Sequence, residues 1–231
     1  MKMRFITWNV CDGFERKFGH LERLKPDIAV LQEVRPECIA YAGLTERAVW
    51  VGDMGQKGLA AVAYGDWTLT PASFTISERW FIPLIAQNGA TKIHIVAVWV
   101  DSAQECGPPT LRALEQLRDF IAAAPTIIAG DFNHCIAMDK RKGPGRRFSE
   151  VLALLKSYGL ESAWHSFYGE EQGAETAATL YWRWNAEHPF HIDFVFYPER
   201  LQVENVSIGS FEKFVPTRIS DHVPVAVDFA L

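Results

Sequence analysis

The chain has few of the features that mark the specialised protein classes. Four cysteines, Cys11, Cys38, Cys106 and Cys135, are spread over 231 residues with no C-x-x-C pair. Zinc sites and disulfide frameworks need closely spaced cysteines, so neither is expected, and reduced thiols are the simplest reading. No long hydrophobic run exists; the longest apolar stretch, Ile93 to Val100, is too short to span a bilayer and contains His94. Met1 to Asn9 has basic residues but no apolar signal-peptide core, so a cytoplasmic location without membrane attachment is the expectation. No charge of one sign dominates: the net charge of -5 gives no global attraction to nucleic acid, although a local basic patch still could. Repeats, low-complexity tracts and obvious linkers are also lacking, and no obligate protein partner is indicated.

What remains is ordinary globular composition, 48% hydrophobic and 22% charged, with eight Trp and fifteen Phe to fill a core. A single domain over 1–231 is expected. Strand-like runs at 3–8, 28–32, 58–64, 66–71, 80–86, 92–100, 126–130, 178–183, 191–197, 203–209 and 223–229 alternate with helical patterns at about 15–24, 110–123 and 149–158. Thr110 reads as an N-cap and Gly159 as the residue closing the third helix. Gly65-Asp66 and Asn88-Gly89 read as hairpin turns between neighbouring strands. Many strands with hairpin turns and few helices point to an α+β sandwich with much antiparallel pairing rather than a regular βαβ array.

Polar residues set at the ends of apolar strands carry the functional signal. Asn9 closes Phe5-Ile6-Thr7-Trp8, and Glu33 closes Ile28-Ala29-Val30-Leu31-Gln32. Asp131 and Asn133 follow Ile127-Ile128-Ala129-Gly130, Asp193 sits in His191-Ile192-Asp193-Phe194, and Asp221-His222 precede Val223-Pro224-Val225. A carboxylate in such a place is costly to desolvate without a cation or hydrogen-bonded partner. Glu33 and Asp221 are hard oxygen ligands suited to Mg²⁺ or Mn²⁺, with Asn9 as a third ligand or an orienting neighbour. Asp131 could orient or deprotonate a water, and Asn133 could donate to a phosphoryl oxygen. A turn at Asp221-His222 would aim the first at the metal and the second at a phosphate, with Asp193 holding the imidazole in one tautomer.

Together these segments, Trp8-Asn9, Gln32-Glu33, Gly130-Asp131-Phe132-Asn133, Ile192-Asp193-Phe194 and Ser220-Asp221-His222, resemble the signature of the endonuclease/exonuclease/phosphatase superfamily from residue 5 to 229. The resemblance implies a four-layer α/β sandwich of two packed mixed sheets flanked by helices, and Mg²⁺-dependent hydrolysis of a phosphoester. It implies Glu33 as main metal ligand, Asp221 as second acidic ligand and Asn9 beside them. Asp131 would activate water, Asn133 and His222 would contact phosphate, and Asp193 would support His222. One position departs from the pattern: Trp99 stands at the end of Ile93–Val100, where a catalytic His or Tyr is usual. An indole N–H can donate to phosphate but cannot act as acid or base at neutral pH; the other reading of Trp99 is core packing.

The basic run Lys140-Arg141-Lys142-Gly143-Pro144-Gly145-Arg146-Arg147 reads either as a solvated loop or as a phosphate contact through Arg146 and Arg147. Trp182 and Trp184, on one face of a strand, read either as core packing or as a stacking platform with Arg183 exposed. His134, His188 and His191 read as loop or rim histidines. A nucleic-acid phosphodiester is the expected substrate. The alternatives are a small-molecule or lipid-headgroup phosphate, or a non-catalytic binding module.

Overall fold

The computed structural model describes residues 1–74, 76–100 and 107–231; Cys106 lies outside them. In chain order the strands are β1 (Lys2–Asn9), β2 (Ile28–Val34), β3 (Ala48–Val51), β4 (Gly58–Ala63), β5 (Thr68–Pro71), β6 (Phe81–Asn88), β7 (Thr91–Trp99), β8 (Thr126–Asp131), β9 (Leu160–Ser162), β10 (Leu180–Tyr181), β11 (Pro189–Phe190), β12 (Asp193–Pro198), β13 (Gln202–Ile208) and β14 (Val225–Ala230). The helices are α1 (Phe18–Arg23), α2 (Pro36–Tyr41), α3 (Gly107–Gln116), α4 (Arg118–Ala123), α5 (Phe148–Ser157), α6 (Ala163–Tyr168) and α7 (Phe211–Phe214). No helix among the described residues is long and apolar enough to cross a membrane.

Two six-stranded sheets form, in the orders β13-β14-β1-β2-β4-β3 and β5-β6-β7-β8-β12-β9. Both are mixed: β1 runs parallel to β2 and β7 parallel to β8, while the other pairs are antiparallel. The period-2 alternation of each strand sorts its apolar residues onto two faces. Met3, Phe5, Ile28, Val30, Ile95, Ala97, Ile127, Ala129, Val195 and Val227 pack together between the sheets. Val96, Val98, Ile128, Phe194 and Phe196 point outward from the second sheet, against Leu114, Phe120, Val151 and Leu155 of α3, α4 and α5. Ile6, Trp8, Ala29 and Leu31 point outward from the first sheet, against Leu21 of α1, Ile39 of α2 and Phe214 of α7. Helices, sheet, sheet and helices make four layers, the architecture that the resemblance implied.

Several local expectations change. Gly65-Asp66 does not close a hairpin: β4 belongs to the first sheet and β5 to the second, so the chain crosses between sheets there. Asn88-Gly89 does close one, with Asn88 opposite Thr91 and Gly89 at φ 56°. The helical pattern over 110–123 is two helices interrupted at Leu117, and Thr110 lies inside the first rather than capping it. The pattern at 15–24 is a 3₁₀ turn at Phe14–Arg16 followed by α1. Gly159, at φ 72°, follows the end of α5 as expected. Of the strand expected at 178–183 only β10 forms. Its continuation folds into a tight turn at Trp182–Trp184, with Arg183 at φ 56° and Trp184 at φ 62°. Trp182 and Trp184 therefore do not share a strand face.

Gly130 shows how closely the two central strands of the second sheet meet at the functional end. Its φ of 153° is open to glycine, and any side chain there would run into the Val98 carbonyl of the parallel neighbour β7.

Candidate active site

Alternation places Asn9, Gln32, Trp99, Asp131 and Asp193 on the inter-sheet side of their strands, at the end where β1, β2, β7 and β8 leave the core and β12 enters it. Asp131 pairs in register with Asp193 on one side and with Trp99 on the other. Glu33 would fall on the opposite face of β2, beside Leu31 and Ala29. A β-bulge between Gln32 and Val34, with Glu33 at φ 57°, turns it back toward this mouth. A glutamate in the left-handed region costs about 1 kcal/mol or more, and such strain clusters at functional positions.

Asn9 links the two sheets. Its Nδ2 donates to Glu33 Oε1 at 3.1 Å and to Asp131 Oδ2 at 2.9 Å, while its Oδ1 accepts the Cys11 backbone N–H at 3.0 Å. The amide thus turns its nitrogen, not its oxygen, to the carboxylates, which suits the orienting role of the two considered. Asp131 is completely buried. It also accepts the Asn133 backbone N–H at 2.8 Å and Asn133 Nδ2 at 3.1 Å. Asn133, at φ 48°, also donates its Nδ2 to the Val100 carbonyl at 2.7 Å, so it braces the loop after β8.

His222 sits between two buried carboxylates. Its Nδ1 lies 2.9 Å from Asp193 Oδ2 and its Nε2 4.0 Å from Asp131 Oδ2. Burial alone would drive the imidazole toward neutrality. The Asp193 and Asp131 carboxylates and the Asp193 hydrogen bond outweigh it, and the imidazole's pKa rises to about 10. Burial and the Asp193 carboxylate push the Asp131 carboxyl up to about 7. The loop bearing His222 is held on all sides. Ser220 Oγ donates to the Asn9 carbonyl at 2.8 Å and accepts the His222 N–H, Trp8 Nε1 donates to the His222 carbonyl, and Tyr181 N–H donates to the Asp221 carbonyl at 2.8 Å. Thr179 Oγ1 accepts the backbone N–H groups of Ile192 and Asp193. Asp193 Oδ1 is buried without a hydrogen-bond partner.

Two sets of groups invite a cation. Ligand-type atoms of Asp131, Asp193 and His222 lie within 4.8 Å of one another. Within that set His222 Nδ1 and Asp193 Oδ2 are already paired with each other at 2.9 Å, and Asp131 Oδ2 accepts from Asn9 and Asn133, so a cation there would have to displace these hydrogen bonds. Glu33, with 23% of its side chain exposed, and Asp221, half-buried, form the more open set, and both act on the Cys11 thiol. Their all-oxygen donors fit a hard divalent cation that keeps several waters.

Side chains that sequence reasoning passed over complete the site. Burial together with Asp221 and Glu33 pushes the Cys11 thiol up to about 12, so it stays protonated and hydrogen-bonded to Asp221. Lys17 is buried and its Nζ donates to the Val10 and Cys11 carbonyls, clamping the loop where Cys11, Asp12 and Gly13 all have positive φ. Lys57 Nζ lies 2.6 Å from Glu33 Oε2. No motif spacing marks these positions; each is brought in by tertiary packing.

The substrate-selecting candidates separate. Trp182 is half exposed and follows Tyr181, which is bonded to the Asp221 loop; Trp184 packs against the helical layer with the Arg218 guanidinium 4.9 Å over its ring. Trp99 is half-buried, its ring 4.7 Å from that of Trp80, at the mouth beside Asp131. Arg146 and Arg147 are exposed, but Arg147 Nε donates to the Lys142 carbonyl within its own loop, and Arg147 precedes α5 with its backbone N–H donating to Glu150 Oε2 at 3.0 Å. His188 is exposed, whereas His134 and His191 are buried rather than on a rim, and burial lowers the pKa of both.

Residues 6–222 match the model of the Endonuclease/Exonuclease/phosphatase family. Similar solved structures include a 3′ phosphatase, NExo, from Neisseria bound to a product DNA hairpin: 19% identity, 99% of this chain and 100% of that one, TM-score 0.72. The apurinic/apyrimidinic (AP) endonuclease LMAP from Leishmania major superposes with a TM-score of 0.74 at 15% identity, over 100% of this chain and 88% of that one. Truncated Caenorhabditis elegans TDP2 has a TM-score of 0.72 at 16% identity, over 100% and 98%. No curated protein sequence matches the chain. At such identities the solved structures speak for the fold.

Proposed function

Because the chain belongs to the Endonuclease/Exonuclease/phosphatase family, whose members hydrolyse phosphate esters, we propose that it is a Mg²⁺-dependent phosphodiesterase acting on nucleic acid. The observation that carries the reading is the His222 ring held between the Asp193 and Asp131 carboxylates at the same sheet ends that present Glu33. Glu33 and Asp221 would hold the cation, which when bound supplies neutralisation of phosphate charge. Asp131, ionised above about pH 7, takes the proton of an attacking water. The imidazolium stabilises charge growing on the phosphoryl oxygens, and Asp193 fixes its orientation. Trp99, with no acid or base to offer, lines the mouth beside them.

Nucleic acid is favoured over a small diester by Trp182, a half-exposed indole with the Arg183 guanidinium 6.0 Å over it, on the residue that follows Tyr181, whose backbone N–H is bonded to the Asp221 carbonyl. A similar structure was solved with product DNA. The test is hydrolysis of a single-stranded oligonucleotide and of bis(p-nitrophenyl) phosphate, with Mg²⁺ and with EDTA. Both substrates should be cleaved with Mg²⁺ alone. Trp182→Ala should raise KM for the oligonucleotide by about 5- to 100-fold, the worth of one stacked base, and leave the small diester unchanged. Equal effects on both, or no oligonucleotide cleavage, would return the substrate to a small phosphoester. Turnover that survives EDTA would remove the metal requirement.

A further inference from the structure

Glu33 is the residue on which the cation reading leans most, yet both of its oxygens are engaged: Oε1 by Asn9 and Oε2 by Lys57. Lys57 is not a wandering surface side chain. It immediately precedes β4, whose first residue, Gly58, pairs with Val34 across the bulge that turns Glu33 inward. Gly58 is seated against the Trp50 indole, leaving no room for a Cβ, and Trp50 Nε1 donates to the Val34 carbonyl at 2.9 Å. The bulge and the lysine are thus fixed by the same pair of strands. The side chain is 37% exposed and its ammonium faces Glu33 and feels Cys11 and Asp12; Arg35 already binds Asp12 in a fork, with its Nε 2.8 Å from Oδ1.

We propose that Lys57 is a further functional residue of this site, one that would share the Glu33 carboxylate with a bound divalent cation and donate a hydrogen bond from its ammonium to the substrate phosphate. The inference rests on Glu33 being a cation ligand. An ammonium and a divalent cation on one carboxylate repel each other, so Lys57 weakens cation binding to the free protein. A phosphate entering beside them accepts a charge-assisted hydrogen bond from the ammonium and screens the two cations. Cation and substrate therefore bind cooperatively, each strengthening the other by the same factor.

The experiment is Mn²⁺ titration by calorimetry of the wild-type protein, Lys57→Met, Lys57→Arg and Glu33→Gln, without substrate, alongside oligonucleotide hydrolysis at saturating Mn²⁺. Lys57→Met should bind Mn²⁺ about tenfold more tightly or better, because a neighbouring positive charge is gone. Its kcat/KM should fall about tenfold or more, because a charge-assisted contact to phosphate is lost. Lys57→Arg should keep Mn²⁺ affinity near that of the wild type. A Lys57→Met protein that binds Mn²⁺ no more tightly than the wild type overturns the inference while leaving the function intact. If Glu33→Gln binds Mn²⁺ as well as the wild type does, or the wild type binds none, the assignment of Glu33 fails and takes this inference with it.

Discussion

Replacing Asp131 with Asn should lower kcat for phosphodiester hydrolysis by about 10²- to 10⁴-fold, the range for loss of a positioned proton acceptor. The substitution keeps shape and volume, and the carbonyl oxygen can still receive the Asn133 backbone N–H that now reaches Oδ1 at 2.8 Å. What disappears is a site able to hold a proton, together with the Oδ2 acceptor that Asn9 Nδ2 and Asn133 Nδ2 now share. Binding should suffer less than turnover, so KM for an oligonucleotide should move only a few-fold while kcat collapses. The pH dependence identifies the group. The buried carboxyl is pushed up to about 7 and is a base only when ionised, so wild-type kcat should fall as pH drops through that value. The residual activity of the Asn variant should lose this limb. Steady-state kinetics from pH 5.5 to 8.5 would show both. A loss below about tenfold, or an acid limb that survives in Asp131→Asn, would move water activation to another residue.

Replacing Asp193 with Asn should be nearly as damaging, by a different route. Asp193 touches no solvent and accepts from His222 Nδ1 at 2.9 Å. Its loss lowers the imidazole pKa and loosens the ring, and in a comparable Asp–His pair elsewhere an Asn substitution costs about 10⁴-fold in kcat. A reduction of about 10²-fold or more is expected here. Stability reports on the same pair. The folded imidazole's pKa is raised to about 10 from an ordinary value of 6.5. Its contribution to stability is therefore complete below pH 6.5 and disappears as pH climbs through 10. That contribution is of the order of a few kcal/mol at neutral pH. Thermal unfolding in EDTA should accordingly show a Tm gap between wild type and Asp193→Asn that is wide at pH 6 and closes toward pH 10. A gap that stays constant, or widens with pH, would mean that the imidazole is not held as a cation by Asp193.

The parts of the site legible in the sequence are those with a local signature. Asp131 and Asn133 belong to one strand end and the loop after it, and hydrophobic alternation places Asp131 on the inter-sheet face. Asp221-His222 lie just before a strand whose apolar pattern anchors their loop. The Gly130-Asp131 pair is visible in the sequence, but the reason for the glycine, its close approach to Val98 of the neighbouring strand, is not. Trp182 and Trp184 misled a strand-based reading, since two consecutive residues at positive φ fold the chain where β-rich composition suggested extension. That turn depends on contacts at a distance, among them Trp182 N–H to the His188 carbonyl and Arg218 stacked on Trp184. Gly65-Asp66 misled in another way: a turn dipeptide shows that the chain bends, not which sheet the next strand joins.

By itself, then, the sequence determined the fold class and the chemical types of the groups at the strand ends, because side-chain period and desolvation cost act within a few residues of the chain. Only the tertiary structure decided how those groups are charged and aimed. The bulge at Glu33 reverses the face that alternation would assign, and its partner Lys57 arrives from a neighbouring strand. The raised pKa values of His222 and Asp131 arise because burial and two facing carboxylates come together across two strands and a loop. Charge interactions depend on distance in space and on exclusion of water, and neither can be read from separation along the chain.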